Sequence, residues 1–137
     1  MGTQQLLLIV LGLIIVGIGV VIGINIFNTG AIQAQKDAIT EDCLHLAAAA
    51  QGYYRKPAMF GGGDNSFTNI DISDCGMNDV LNNSTGTNLN GTYIIEGIGD
   101  AFVVTARSRS DEERVVIVTC DMMQPADDRI SVSYTNW

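Results

Sequence analysis

The first 35 residues contain no charged side chain, and the whole chain of 137 residues has only 7 Lys and Arg against 15 Asp and Glu, a formal net charge of −8. Nucleic-acid binding needs clustered cations on one face. The only cations are Lys36, Arg55, Lys56, Arg107, Arg109, Arg114 and Arg129, so no nucleic-acid partner is expected. Proline is nearly absent, with Pro57 the first of two, so nothing interrupts a helix over the N-terminal 56 residues. One histidine and three cysteines leave little material for a metal centre or a catalytic constellation. Cys43 and His45 stand two apart on a helix, about 200° around it, and cannot face one ion or form a nucleophile pair. There is no CxxCH for covalent haem and no Gly-Lys-Ser/Thr after Gly61-Gly62-Gly63-Asp64, which reads as a flexible turn rather than a phosphate loop. No enzyme activity, cofactor, metal site or catalytic residue is expected. Asp121, Asp127 and Asp128 around Pro125 lack a spaced calcium-loop signature and read as a solvated acidic loop.

What is present divides the chain in two. Leu6 to Phe27 reads LLLIVLGLIIVGIGVVIGINIF. As a helix rising about 1.5 Å per residue, this run is roughly 33 Å long, enough for a bilayer core. A secretory signal is a poor match, because no positive region precedes the run, the run is too long, and no small-x-small cleavage site follows closely. Gly12, Gly17, Gly19 and Gly23 punctuate it, and Gly19 with Gly23 makes a GxxxG pair that lets helix backbones approach. Beyond it, Ile32, Ile39, Cys43, Leu46 and Ala50 recur at steps of 7, 4, 3 and 4, one stripe of an amphipathic helix. The pattern predicts one nearly continuous helix from about Gln4 to Tyr54.

Residues 57–91 are rich in Gly, Asn, Ser, Thr and Asp, the chemistry of turns, with one helical turn expected at Met77–Leu81 capped by Asp74. Four strands follow, at Thr92–Gly97, Ala101–Arg107, Arg114–Cys120 and Arg129–Tyr134, joined by links too short for parallel crossovers. Phe102, Val104 and Ala106 share one strand face, as do Ile130, Val132 and Tyr134. The helical stripe and the sheet each need a cover, and docking them closes one core. The expected fold class is α+β: a long N-terminal helix, apolar then amphipathic, packed on a C-terminal four-stranded antiparallel sheet. Its parts are an apolar stem over residues 1–30 and a head over 31–137, with helix at 31–54, loop at 55–91 and sheet at 92–137. Tyr53, Tyr54, Phe60 and Phe67 are expected in core and interface packing.

Should the head lie outside the cytoplasm, one disulfide with one thiol left over is expected among Cys43, Cys75 and Cys120. Cys43 with Cys75 is favoured, since the loop must fold back along the helix, followed by Cys75 with Cys120, and three reduced buried thiols is the other outcome. Asn82-Asn83-Ser84, Asn83-Ser84-Thr85 and Asn90-Gly91-Thr92 are three glycosylation acceptor patterns, making Asn82, Asn83 and Asn90 candidates.

This order of apolar helix, amphipathic continuation, loop and antiparallel sheet resembles a type IV pilin. The opening MGTQQLLLIVLGLIIVGIGVVIGI is similar to a mature pilin N-terminus, with Met1 where members carry Phe or Met after leader removal. It departs in having Gln5 where the family has a Glu that pairs with a neighbouring subunit's N-terminal amine. It also lacks the helix-breaking Pro found in many members, running instead through Val21, Ile22 and Gly23. The resemblance implies a homopolymer of copies of this chain, held in the inner membrane before assembly and handled by pilus assembly machinery. Gln5, Gly12, Gly17, Gly19 and Gly23 would lie in the helix bundle of an extracellular filament serving adhesion or surface contact. A minor pilin, a secretion pseudopilin, or a single-pass anchored binding domain are the alternatives.

Overall fold

The computed structural model describes residues 2–137, so Met1 lies outside the described residues. Helix α1 covers Gly2–Arg55, close to the expected bounds. The chain divides into two units, one ending at Ala34 and the other Gln35–Trp137. In the N-terminal unit α1 is apolar on every side and exposed throughout the Leu6 to Phe27 run, Leu13 at 68% and Phe27 at 77%.

In the second unit α1 has one buried stripe, Ile39, Cys43, Leu46, Ala47 and Ala50. Ile32, expected on it, belongs to the other unit and is half-exposed. The helix stops before Pro57, whose ring cannot continue it. Its last carbonyls do not go unpaired. Tyr53 O accepts from Gly63 N–H at 2.9 Å, Tyr54 O from Asn65 at 2.7 Å and Lys56 O from Asp64 at 3.0 Å. This requires the backbone to come close, and a Cβ on Gly62 would run into the Lys56 carbonyl and one on Gly63 into the Ser66 carbonyl. The Gly61–Gly63 run is therefore a fitted cap on the helix end and not the free turn expected.

The sheet has six strands, not four: β1 Val80–Asn82, β2 Thr85–Thr87, β3 Gly91–Ile98, β4 Ala101–Ser108, β5 Val115–Asp121 and β6 Ile130–Thr135. They lie in chain order and every neighbouring pair is antiparallel. The two additional strands have three residues each, Val-Leu-Asn and Thr-Gly-Thr, too short for alternation to show and weakened as strand signals by Asn and Gly. Pairing with β3 holds β2 extended, with Gly86 opposite Tyr93, and β1 in turn pairs with β2. Val80 and Leu81 thus stand in β1 where a helical turn was expected. A helical turn occurs earlier, as a 3-10 segment at Ile72–Cys75, with Asp71 as its cap and Asp74 reaching back to the Asp71 N–H at 3.3 Å.

Alternation puts Tyr93 and Ile95, Phe102, Val104 and Ala106, and Val116, Val118 and Cys120 on one buried face, in register across β3 to β5. That face and the α1 stripe form one core. Phe67 from the loop joins it, with Tyr54 and Phe102 rings both 4.7 Å from its own. Tyr53 and Tyr54 pack at the margin as expected, whereas Phe60 stands 67% exposed on a short 3-10 turn. On the edge strand β6 the face of Ile130, Val132 and Tyr134 is only partly covered, and the Lys36 ammonium sits 4.0 Å above the Tyr134 ring.

Candidate assembly surface

α1 is long and apolar enough to cross a membrane, and none of its most apolar stretch is buried within the chain. Glycine costs about 1 kcal/mol relative to Ala in a helix interior, so each one calls for a reason. At Gly12, Gly17, Gly19, Gly23 and Gly30 an added Cβ meets nothing within 4 Å. No contact inside this chain requires them to be glycine.

Their spacing supplies the pattern. Gly12, Gly19, Gly23 and Gly30 follow at steps of 7, 4 and 7, which at 3.6 residues per turn keeps them within about 40° of one another. Gln5, seven residues before Gly12, shares this face, and Gly17 lies about 140° away from Gly12. Of the expected assembly residues, α1 thus brings together Gln5, Gly12, Gly19 and Gly23 and sets Gly17 apart. Gly30 belongs to the row although it lies beyond the apolar run, which ends at Phe27; the same helical period extends to it. Beside Gly30 is an open recess lined by Asn25, Ile26, Thr29 and Gln33. The Thr29 hydroxyl donates back to the Asn25 carbonyl at 2.9 Å.

In the second unit the polar side chains gather at Asp42. Its Oδ2 accepts from Tyr93 OH at 2.6 Å, Asn90 Nδ2 at 2.7 Å and Asn88 Nδ2 at 2.8 Å. Asn88 Oδ1 in turn accepts the Asn90 and Gly91 backbone N–H groups at 2.8 and 3.0 Å. Burial pushes the Asp42 carboxyl up, but the bonds from Asn90, Tyr93 and Asn88 and the nearby His45 outweigh it, and its pKa falls below the ordinary value. Burial and the hydrogen bond to Asp42 both push the Tyr93 hydroxyl up, so it stays protonated as donor. This clasp ties α1 to the β2–β3 turn. It joins residues 46 to 51 positions apart, and only the turn-forming Asn-Leu-Asn-Gly signals its far end.

The three thiols are free and buried, correcting the expected disulfide. Burial pushes Cys43 and Cys75 up to about 12. Cys120 accepts from Gln51 Nε2 at 3.6 Å. Cys43 points into the core while His45 is exposed, as two helix positions 200° apart must be. Among the described residues no group of three His, Cys, Asp or Glu is placed to hold a metal ion. Asp121 Oδ1 accepts from Met123 N–H at 2.9 Å, and Asp127 and Asp128 are exposed.

Asn82 and Asn83 are exposed at the β1–β2 hairpin, whereas Asn90 is half-buried in the clasp. A long apolar N-terminal helix and an antiparallel sheet are the elements of a pilin-like chain in general terms. Comparison with family models, with curated proteins and with solved structures gives no match.

Proposed function

We propose that this chain is the structural subunit of an extracellular filament of the type IV pilus kind, polymerising through its apolar N-terminal helix. The observation that carries this reading is the glycine row Gly12, Gly19, Gly23 and Gly30, which has no purpose within one chain. Small residues at steps of four and seven let a second helix backbone approach closely. An apolar helix exposed on all sides needs either lipid or copies of itself around it, and a subunit stored in the membrane and then bundled with its fellows has cover in both states. Contacts of this kind that do not close upon themselves propagate as a helical fibre. Function here is assembly and requires no catalytic group, with adhesion or surface contact as its downstream use.

The test is an intact-mass spectrum of the high-molecular-weight material sheared from cell surfaces and pelleted. The expected result is this chain as the dominant species. Its absence there, with the chain confined to detergent-solubilised membranes, replaces the filament by a single-pass anchored domain, and a trace share makes it a minor pilin or pseudopilin.

A further inference from the structure

The three Asn-x-Ser/Thr patterns are equivalent as sequence and unlike as structure. We infer that the β1–β2 hairpin is an N-linked glycan acceptor, with Asn82 Nδ2 as the acceptor atom, and that Asn90 is silent. Its use in the cell rests on the outward-facing head of the proposed filament.

On a folded chain, transfer needs an Asn amide nitrogen and a hydroxyl residue two positions on that an enzyme can reach, and an internal hydrogen bond on that nitrogen must first be broken. Asn90 fails the first condition. Its Nδ2 donates to Asp42 at 2.7 Å, its own N–H donates to Asn88 Oδ1 at 2.8 Å, and its carbonyl accepts from Arg109 N–H at 3.1 Å. A sugar on Nδ2 would replace the bond to Asp42 and open the clasp.

Asn82 meets both conditions. Its Oδ1 accepts the Ser84 backbone N–H at 3.1 Å, an Asx turn within its own acceptor pattern. That bond holds the carbonyl side of the amide and leaves Nδ2 facing solvent without a partner, with Ser84 folded against the same turn. Strand β1 is also the edge of the sheet, bonded on one side only. Asn83 is exposed too, but its hydroxyl residue Thr85 lies in β2, paired to Asn82 on one side and Ile94 on the other. Drawing Thr85 into an enzyme groove separates two ladders, whereas Asn82 stands on the edge strand and Ser84 in the turn, tied to β3 by one bond, its carbonyl accepting from Ile95 N–H at 2.8 Å.

In the transfer, Nδ2 attacks C1 of the first sugar of a lipid-linked oligosaccharide diphosphate. The N–C1 bond forms and the C1–O bond breaks. The lipid diphosphate leaves with the electron pair, and the Nδ2 proton passes to a carboxylate of the transferring enzyme.

The full chain in detergent micelles is incubated with an oligosaccharyltransferase and a polyprenyl-diphosphate oligosaccharide, and the peptides are mapped by mass. Wild type should gain one glycan mass, on Asn82. Ser84→Ala removes the acceptor pattern yet keeps the backbone N–H of the turn, and it should lose the glycan. Thr85→Ala and Thr92→Ala should retain it. A glycan on Asn83 or Asn90 of the wild type, transfer surviving in Ser84→Ala, or no transfer at all overturns the assignment. The Asp42→Ala variant, whose clasp is released, should gain a second glycan at Asn90, and silence there contradicts the account of Asn90. Because the reaction uses neither cells nor filament, its failure leaves the filament reading standing, and a failed pelleting assay leaves this one standing.

Discussion

Apart from Gly52, whose Cβ position is also open, and the positive-φ Gly61, Gly76 and Gly99, the glycines of the two units are governed by opposite circumstances. In the second unit a Cβ on Gly63, Gly91 or Gly97 would run into a carbonyl of the same chain, and one on Gly86 into the Met77 side chain. In the N-terminal unit a Cβ on Gly12, Gly19, Gly23 or Gly30 meets empty space. The first group is explained by the fold of one molecule. The second lowers helix stability with no return inside the molecule, and so points beyond it. The apolar residues divide the same way: Ile39, Phe67 and Phe102 are covered by their own chain, while Leu6 to Phe27 is left bare.

This contrast can be broken at several points. The largest effect is expected from Phe67→Ala, which removes the ring bridging Tyr54 and Phe102. It should lower the stability of the head by about 4 kcal/mol in chemical denaturation of the detergent-solubilised chain. Asp42→Ala, which strands three donors including the buried Tyr93 hydroxyl, should cost about 2 kcal/mol at neutral pH. Since Asp42 has its pKa lowered by folding, its contribution is present above the ordinary aspartate value of 3.8 and is lost as pH falls through the folded value. Denaturation of wild type and variant should accordingly draw together between pH 6 and the acid limb, and a gap independent of pH would show that the carboxylate is not the acceptor.

Replacing a glycine sharpens the comparison because the sign should reverse between units. Gly97→Ala drives a methyl group into Phe67 and Ile70 and should destabilise by about 2 kcal/mol. Gly23→Ala should strengthen α1 by about 1 kcal/mol as read by helix content, while reducing the yield of sheared filament. Equal and unfavourable effects of both on the isolated chain would remove the distinction. The smallest effect is expected from reductant: with free thiols buried beside apolar side chains, dithiothreitol should leave the unfolding midpoint unchanged. Maleimide should label Cys43, Cys75 and Cys120 only after unfolding.

Much of the fold is legible without coordinates. The stripe at Ile39, Cys43, Leu46 and Ala50 and the alternation through Phe102, Val104 and Ala106 are local periodicities, and the structure buries these residues. The strands β1 and β2 are not legible, because Thr-Gly-Thr becomes extended only by lying beside β3, and Val-Leu-Asn only by lying beside β2. The Gly61–Gly63 run shows the same limit. Its composition announces a turn, and only the position of the Lys56 and Ser66 carbonyls makes it a cap. On the candidate surface, Gln5, Gly12, Gly19 and Gly23 are identifiable from composition, and their common face with Gly30 follows from helical period alone.

Sequence was sufficient wherever the deciding interaction lies within a turn or two of the chain. Hydropathy and the 3.6 and 2.0 periods specify an α1 long enough for a bilayer, its single amphipathic stripe, and the strands from β3 to β6. Tertiary structure decided which carboxylate oxygen receives Tyr93, Asn88 and Asn90, that three thiols are free and buried, and that the Asn90 amide is bound to Asp42. Each of these depends on the meeting of groups far apart in the chain, brought together only when helix, loop and sheet close on one core. Spacing along a sequence sets how far apart residues can reach, but not the distance and angle at which a hydrogen bond or a disulfide forms.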